Sequence, residues 1–361
     1  MTDASAASLT IDLGALTANW RSLAAKAGPA ECAAVVKADA YGIGAAQAVP
    51  ALRAAGCRTF FVALPEEGRR ARAVAPDAVI YVLNGFFSDA AALYREAALR
   101  PVLNSLEETE SWARLGGGAA SAIQVDTGMN RLGLSLREAI GLARRKGLLA
   151  AISPRLLISH LACADAPAHP LNVEQLALFK QLRAQFPALP ASMANSAGVF
   201  LGPDYHFDLI RPGIALYGAN FAQNHPSLNT VVTLSTRVLQ IRQAPAGESV
   251  GYGAAERLKC DTRIAVLSAG YADGYHRATG SSDARRGGSA HIRGRKVPIL
   301  GRVSMDLIAI DVTDVVGASP GDRAELFGPN IPIDEVAGAA ATIAYELLTG
   351  LSRRAERVYL R

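Results

Sequence analysis

A lysine breaks an apolar run in AVVKADAYG, residues 33–41. Ala33 to Val36 read as a strand buried on both faces, and a cation at its end needs a partner or a task. Other polar residues end similar apolar runs: Arg131 after SAIQVDTG, His160 in RLLISHL, Asn195 and Ser196 at ASMANS, and Arg211 in FDLIRPGI. Desolvation lowers a lysine's pKa and leaves the amine nucleophilic toward carbonyls. Two arginines without an obvious carboxylate pair suit an anionic ligand. Ser196 and the glycines near Gly213 fall where parallel barrels hold phosphate. Two chemistries stay open on these residues alone: a pyridoxal phosphate (PLP) enzyme, or an aldolase forming a Schiff base with sugar phosphates.

These residues need elements that bring them to one place. Strand-like runs at ECAAVVKAD, RTFFVAL, AVIYVLN, LRPVLN, SAIQVDTG, RLLISHL, ASMAN and FDLIRPGI alternate with amphipathic stretches. Ser88, Ser105, Ser135 and Asn172 stand as helix caps. The alternation predicts an α/β fold, a (β/α)8 TIM barrel, whose chemistry gathers at the C-terminal ends of its strands. No strand is followed by the G-x-G-x-x-G turn of a doubly wound dinucleotide fold. Past residue 230 the chain reads as β-strands with Gly, Pro and Asp turns. The division is thus 1–230 for the barrel and 231–361 for a mainly β domain. The leading SLTIDL, 8–13, is a spare strand that could pair with either.

Hydrophobic residues make up 50% of the 361 and charged ones 19%, the balance of a soluble globular chain. Four dispersed cysteines without a CxxC pair fit reduced thiols in a cytoplasm. No membrane span or secretory leader is expected. The +5 charge is spread over single arginines, and RRGGSAHIRGRK, 285–296, reads as a solvated loop and strand edge, so no nucleic-acid partner is expected. His160, Cys163, Asp165 and His169 lack zinc spacing, so no metal is expected. Asp126-Thr127-Gly128 is a single copy where an aspartic protease needs two.

AVVKADAYGIG resembles the PLP-attachment segment of bacterial alanine racemases. The likeness continues in order through DTGMNRLG, SHLA, ANSAG, RPGIALYG, AGYADGY, GRVSMDL and YELLTGLSRRAERVY. The resemblance implies an isomerase interconverting L- and D-alanine for peptidoglycan, built as a head-to-tail homodimer with shared active sites. It implies that Lys37 holds PLP and handles the proton on the D-alanine face, while Tyr271 of the other subunit serves the L-alanine face. It further implies that Arg211 faces the pyridine nitrogen and that Ser196, Tyr41, Tyr345 and the backbone of Gly213 and Ile214 hold the phosphate. Arg131 would bond the cofactor's phenolic oxygen and, with Met305 and Asp306, border the substrate. Asn195 and His160 would line the cofactor pocket, His160 linking Tyr271 to Arg211. One departure is Gln124, where well-studied relatives carry a carbamylated lysine that steadies the arginine. A broad-specificity racemase is the alternative reading, with a non-catalytic PLP carrier and a basic amino-acid decarboxylase behind it.

Overall fold

The computed structural model describes residues 6–219 and 228–361. Residues 1–5, part of the stretch in which no secretory leader is expected, lie outside the described residues. Two compact units emerge, one built on Leu16–Leu216 and one on the chain up to Ala15 with Tyr217–Ala219 and Asn229–Arg361.

The spare leading strand, β1 (Ala7–Asp12), belongs to the second unit. It lies between β11 (Val232–Ala244), which it pairs antiparallel, and the final strand β19 (Glu356–Leu360), which it pairs parallel. Leu9 and Ile11 are fully buried there, each worth about 1.5–3 kcal/mol of apolar burial. The long excursion between β1 and β11 costs little, because loop-closure entropy grows only with the logarithm of length. Asp12 ends the strand and caps the next helix, its Oδ1 accepting the Ala15 N–H at 2.7 Å. That helix, Leu13–Ala27, was not foreseen: its alanine-rich sequence gives only a diffuse apolar stripe.

The first unit is a parallel barrel. Its first strand is written as two pieces, β2 (Glu31–Cys32) and β3 (Ala34–Val35), because each pairs with a different neighbour. From β3 the order runs through β4 (Thr59–Val62), β5 (Val79–Val82), β6 (Arg100–Leu103), β7 (Ser121–Gln124), β8 (Pro154–Ile158) and β9 (Ala191–Ser192). The eighth strand, β10 (Leu209–Ile210), pairs parallel with β2. Backbone bonds from Asp208 N to Ala191 O and from Arg211 N to Ala194 O join it to β9 and close the ring. Ser105 and Ser135 cap helices as read, each accepting the N–H three residues on. The other two assignments fail. Ser88 opens a short 3-10 turn, and Asn172 lies inside the helix Leu171–Arg183, where its amide donates to Cys163 O and Ala166 O.

The second unit is antiparallel. It adds β12 (Ser249–Val250), β13 (Glu256–Arg257), β14 (Thr262–Leu267), β15 (Ser289–Ile292), β16 (Arg295–Leu300), β17 (Ile308–Asp311) and β18 (Arg323–Phe327). Strands β14, β17, β16, β15, β18 and β11 form a closed ring, because the long β11 pairs with β18 along its first half and β14 along its second. Among the described residues no helix is long and apolar enough to cross a membrane.

Candidate active site

Lys37 lies just past the strand end rather than in it, as the first residue of a turn, Lys37–Tyr41. Ala38, Asp39, Ala40 and Tyr41 all have φ between 53° and 56°, a left-handed turn made without glycine. Such backbone costs roughly 1–2 kcal/mol per residue, so it persists only where the surroundings fix it. Ala40 N–H bonds Val36 O at 2.9 Å and Gly42 N–H bonds Ala38 O at 2.8 Å. Asp39 Oδ1 accepts Ala45 N–H at 2.8 Å, and Glu67 Oε1 accepts Ala38 N–H at 2.7 Å. The turn brings Tyr41 to Gly213 at the end of the neighbouring eighth strand, where an added Cβ would collide with the phenol oxygen.

The polar strand ends do converge. Burial and then the Arg131 charge hold the Lys37 ammonium below the usual lysine range, with Glu67 opposing them. His160, half-buried after β8, is pushed down to about 3 by burial and then by Arg211, Arg131 and Lys37, so it stays neutral. Arg211 is 5% exposed, and burial brings it to about 10, still charged at neutral pH. Its guanidinium bonds Ser159 O at 2.5 Å and the Ser192 hydroxyl, and its Cζ stands 5.9 Å from the Phe61 ring centroid. None of these partners is a carboxylate, so the charge is solvated by dipoles alone, which suits a neighbouring acceptor.

Beside these groups is a small amide cradle. The buried Ser196 Oγ accepts the N–H of Gly213 at 2.9 Å and of Ala215 at 3.2 Å. With Tyr41 against Gly213, two hydroxyls and backbone amides face the first turn of Ile214–Tyr217. A phosphate oxygen taking the place of the Ser196 oxygen before these amides would meet this donor set, and an added Cβ at Gly213 would intrude on it. The residues present therefore fit PLP. Asn195 Oδ1 accepts Gly198 N–H at 2.9 Å and starts the next turn.

Arg131 sits exposed on the loop after β7. The Asp126 carboxylate, read from sequence as one half of a protease motif, is spent on that loop, accepting the N–H groups of Gly128 and Met129. Gln124 amide donates to Leu132 O at 2.9 Å, tethering the backbone next to Arg131. Gln175, fully buried on the helix Leu171–Arg183, was missed. Its amide donates to Thr127 Oγ1 and His160 O, and its Oε1 accepts Ala162 N–H, knitting the ends of β7 and β8 together. Its inward position with Leu176, Phe179 and Leu182 was the available signal.

In the second unit, Tyr271 is 40% exposed and opens the 3-10 turn Tyr271–Asp273. Its N–H bonds Ser304 O at 3.0 Å, and Ala272 N–H bonds Met305 O at 3.0 Å, which brings Tyr271 to Met305 and Asp306. Tyr345 lies on the helix Ala344–Thr349.

The fold defines a class: a parallel-barrel enzyme with an antiparallel β-barrel on the same chain. Residues 11–221 match the model of the alanine racemase N-terminal domain, and residues 231–359 match that of the C-terminal domain. The chain belongs to the alanine racemase family. It is 49% identical to the alanine racemase of Rhizobium meliloti (strain 1021), covering 98% of this chain and 96% of that one. It is 47% identical to a biosynthetic alanine racemase of Agrobacterium fabrum, covering 98% and 93%. The crystal structure of alanine racemase from Bartonella henselae with covalently bound pyridoxal phosphate superposes at a TM-score of 0.93, with 42% identity over 99% of this chain and 100% of that one.

Proposed function

We propose that this protein interconverts L- and D-alanine with PLP carried on Lys37, as a cytoplasmic homodimer supplying D-alanine for peptidoglycan. The observation that carries the reading is the gathering of Lys37, Arg131 and Arg211 around a neutral His160, beside the Ser196–Gly213 cradle. PLP, when bound, supplies the electron sink that makes the amino acid's α-proton acidic.

The chain's own residues do the rest. Racemisation needs an acid–base group on each face of the α-carbon. The Lys37 amine, held below the usual lysine range by burial and by Arg131, gives up and takes back a proton on one face more readily than a free lysine does. The phenol of Tyr271, brought by a second copy of the chain, is assigned to the other. A phenol with a reference pKa of about 10 needs positive charge nearby to act as a base. Because His160 is neutral, that charge is assigned to Arg211. An arginine gives up no proton to the pyridine nitrogen, which restrains the electron sink and protects against transamination.

In deuterated water the wild type should exchange the α-proton of both enantiomers. Lys37→Ala should lose the visible band of covalently bound PLP, and Tyr271→Phe should slow proton loss from L-alanine more than from D-alanine. Equal slowing from both sides would overturn the face assignment. A panel of larger L-amino acids in the same assay reads the breadth of substrate.

A further inference from the structure

We infer that Arg354 is the positioning residue of Tyr271, clamping the turn that carries the phenol against the Met305–Asp306 loop. The inference rests on the proposed function for its catalytic consequence, but its geometry is independent of it. Arg354 comes from LSRRAERVY, a segment to which the proposed chemistry gives no task.

Arg354 Nη1 donates to Asp306 Oδ1 at 2.7 Å, and its Nε lies 3.2 Å from Asp273 Oδ1. Seen alone, the pair with Asp306 is a surface ion pair of two half-exposed groups, worth about 0–1 kcal/mol. Asp273 changes that reading. Its side chain is only 4% exposed, and a buried carboxylate needs its cation because it has given up water. The other oxygen of Asp273 accepts Gly270 N–H at 2.9 Å, and its carbonyl accepts Ser352 N–H at 3.2 Å. Gly270 lies so close to the carbonyls of Ser304 and Met305 that no Cβ fits. The Tyr271 turn is thus pressed between two segments, and the guanidinium fork of Arg354 spans its carboxylate and that of the Met305–Asp306 loop. A planar fork can hold two carboxylates at once, whereas an ammonium is a point charge.

The test uses the PLP-loaded enzyme and compares Arg354→Met, Arg354→Lys and Asp306→Asn. Amide hydrogen exchange reads the turn directly. In Arg354→Met the N–H groups of Tyr271 and Ala272 should exchange about tenfold faster or more. Proton loss from L-alanine in deuterated water should fall about tenfold or more relative to that from D-alanine, the effect of a displaced catalytic group. The PLP band should remain. Arg354→Lys should recover part of both effects, and Asp306→Asn should expose the amides less than Arg354→Met does, because one of the two ties, that to Asp273, survives. Protected amides in Arg354→Met, equal slowing of both enantiomers, or an Asp306→Asn variant as exposed as Arg354→Met would each overturn the inference. If Arg354→Met does not fold, Arg354→Lys against Asp306→Asn decides on the amides. A wild type that exchanges neither enantiomer's proton would sink the proposed function, and the amide readout would still decide the clamp.

Discussion

Glu67 holds the backbone of Ala38: its Oε1 accepts that N–H at 2.7 Å, one residue beyond the amine of Lys37. Its other oxygen accepts Ala63 and Leu64 N–H at the start of its own helix, so one carboxylate fastens the end of the first strand to the end of the second.

Glu67→Gln should therefore act on Lys37 in two ways. Losing the carboxylate removes the one charge that opposes depression of the lysine, and losing an acceptor loosens the left-handed turn. Only the neutral amine attacks an aldehyde, so PLP capture rises with pH through the Lys37 pKa. That rise should move to lower pH in Glu67→Gln and to higher pH in Arg131→Gln. Stopped-flow appearance of the PLP band against pH checks both directions. An unmoved profile in both variants would show that neither charge acts on Lys37.

Gly213→Ala should cost about 1–3 kcal/mol, since the new methyl collides with the Tyr41 phenol in a packed wall. Adding Tyr41→Phe should return part of that stability but none of the PLP affinity, because the cradle remains filled. Urea unfolding and equilibrium dialysis with PLP measure the two separately. Full recovery of PLP binding in the double variant would contradict the cradle.

His160 makes the fold acid-sensitive. Its imidazole ordinarily titrates near 6.5 and is pushed down to about 3 in the folded chain. Between those values the unfolded chain binds a proton that the folded one refuses, so stability falls as pH drops through that window and is unaffected above it. His160→Gln should lose less stability than wild type between about pH 7 and about pH 4, read from urea midpoints. A steeper loss in the variant would reverse the sign.

Gln124→Leu should free the carbonyl of Leu132, cost about 1 kcal/mol and speed amide exchange across residues 129–133. The wild type without PLP should carry no added carbon dioxide at this position, because glutamine forms no carbamate. An added carbon dioxide mass on a lysine near Arg131 would refute this.

What the sequence determined by itself were the repeating parts. Apolar runs at strand spacing, separated by amphipathic stretches, dictate a parallel barrel because each run must be covered on both faces. In a parallel barrel all strand ends share one face, so Lys37, Arg131, His160, Ser196 and Arg211 had to meet. Tertiary structure decided what depends on partners distant in the chain. The alternation in SLTIDL fits any half-buried strand, and only the edges of β11 and β19 select the second unit for it. The left-handed turn at Ala38–Tyr41 contains no glycine to announce it and exists because Glu67 and Val36 hold it from outside and Asp39 ties it to Ala45. Glu67, Gln175 and Arg354 read locally as a helix start, a helix position and a surface charge. They gain their roles from groups remote in sequence, because a hydrogen bond depends on where its partner is and not on when the chain arrives there.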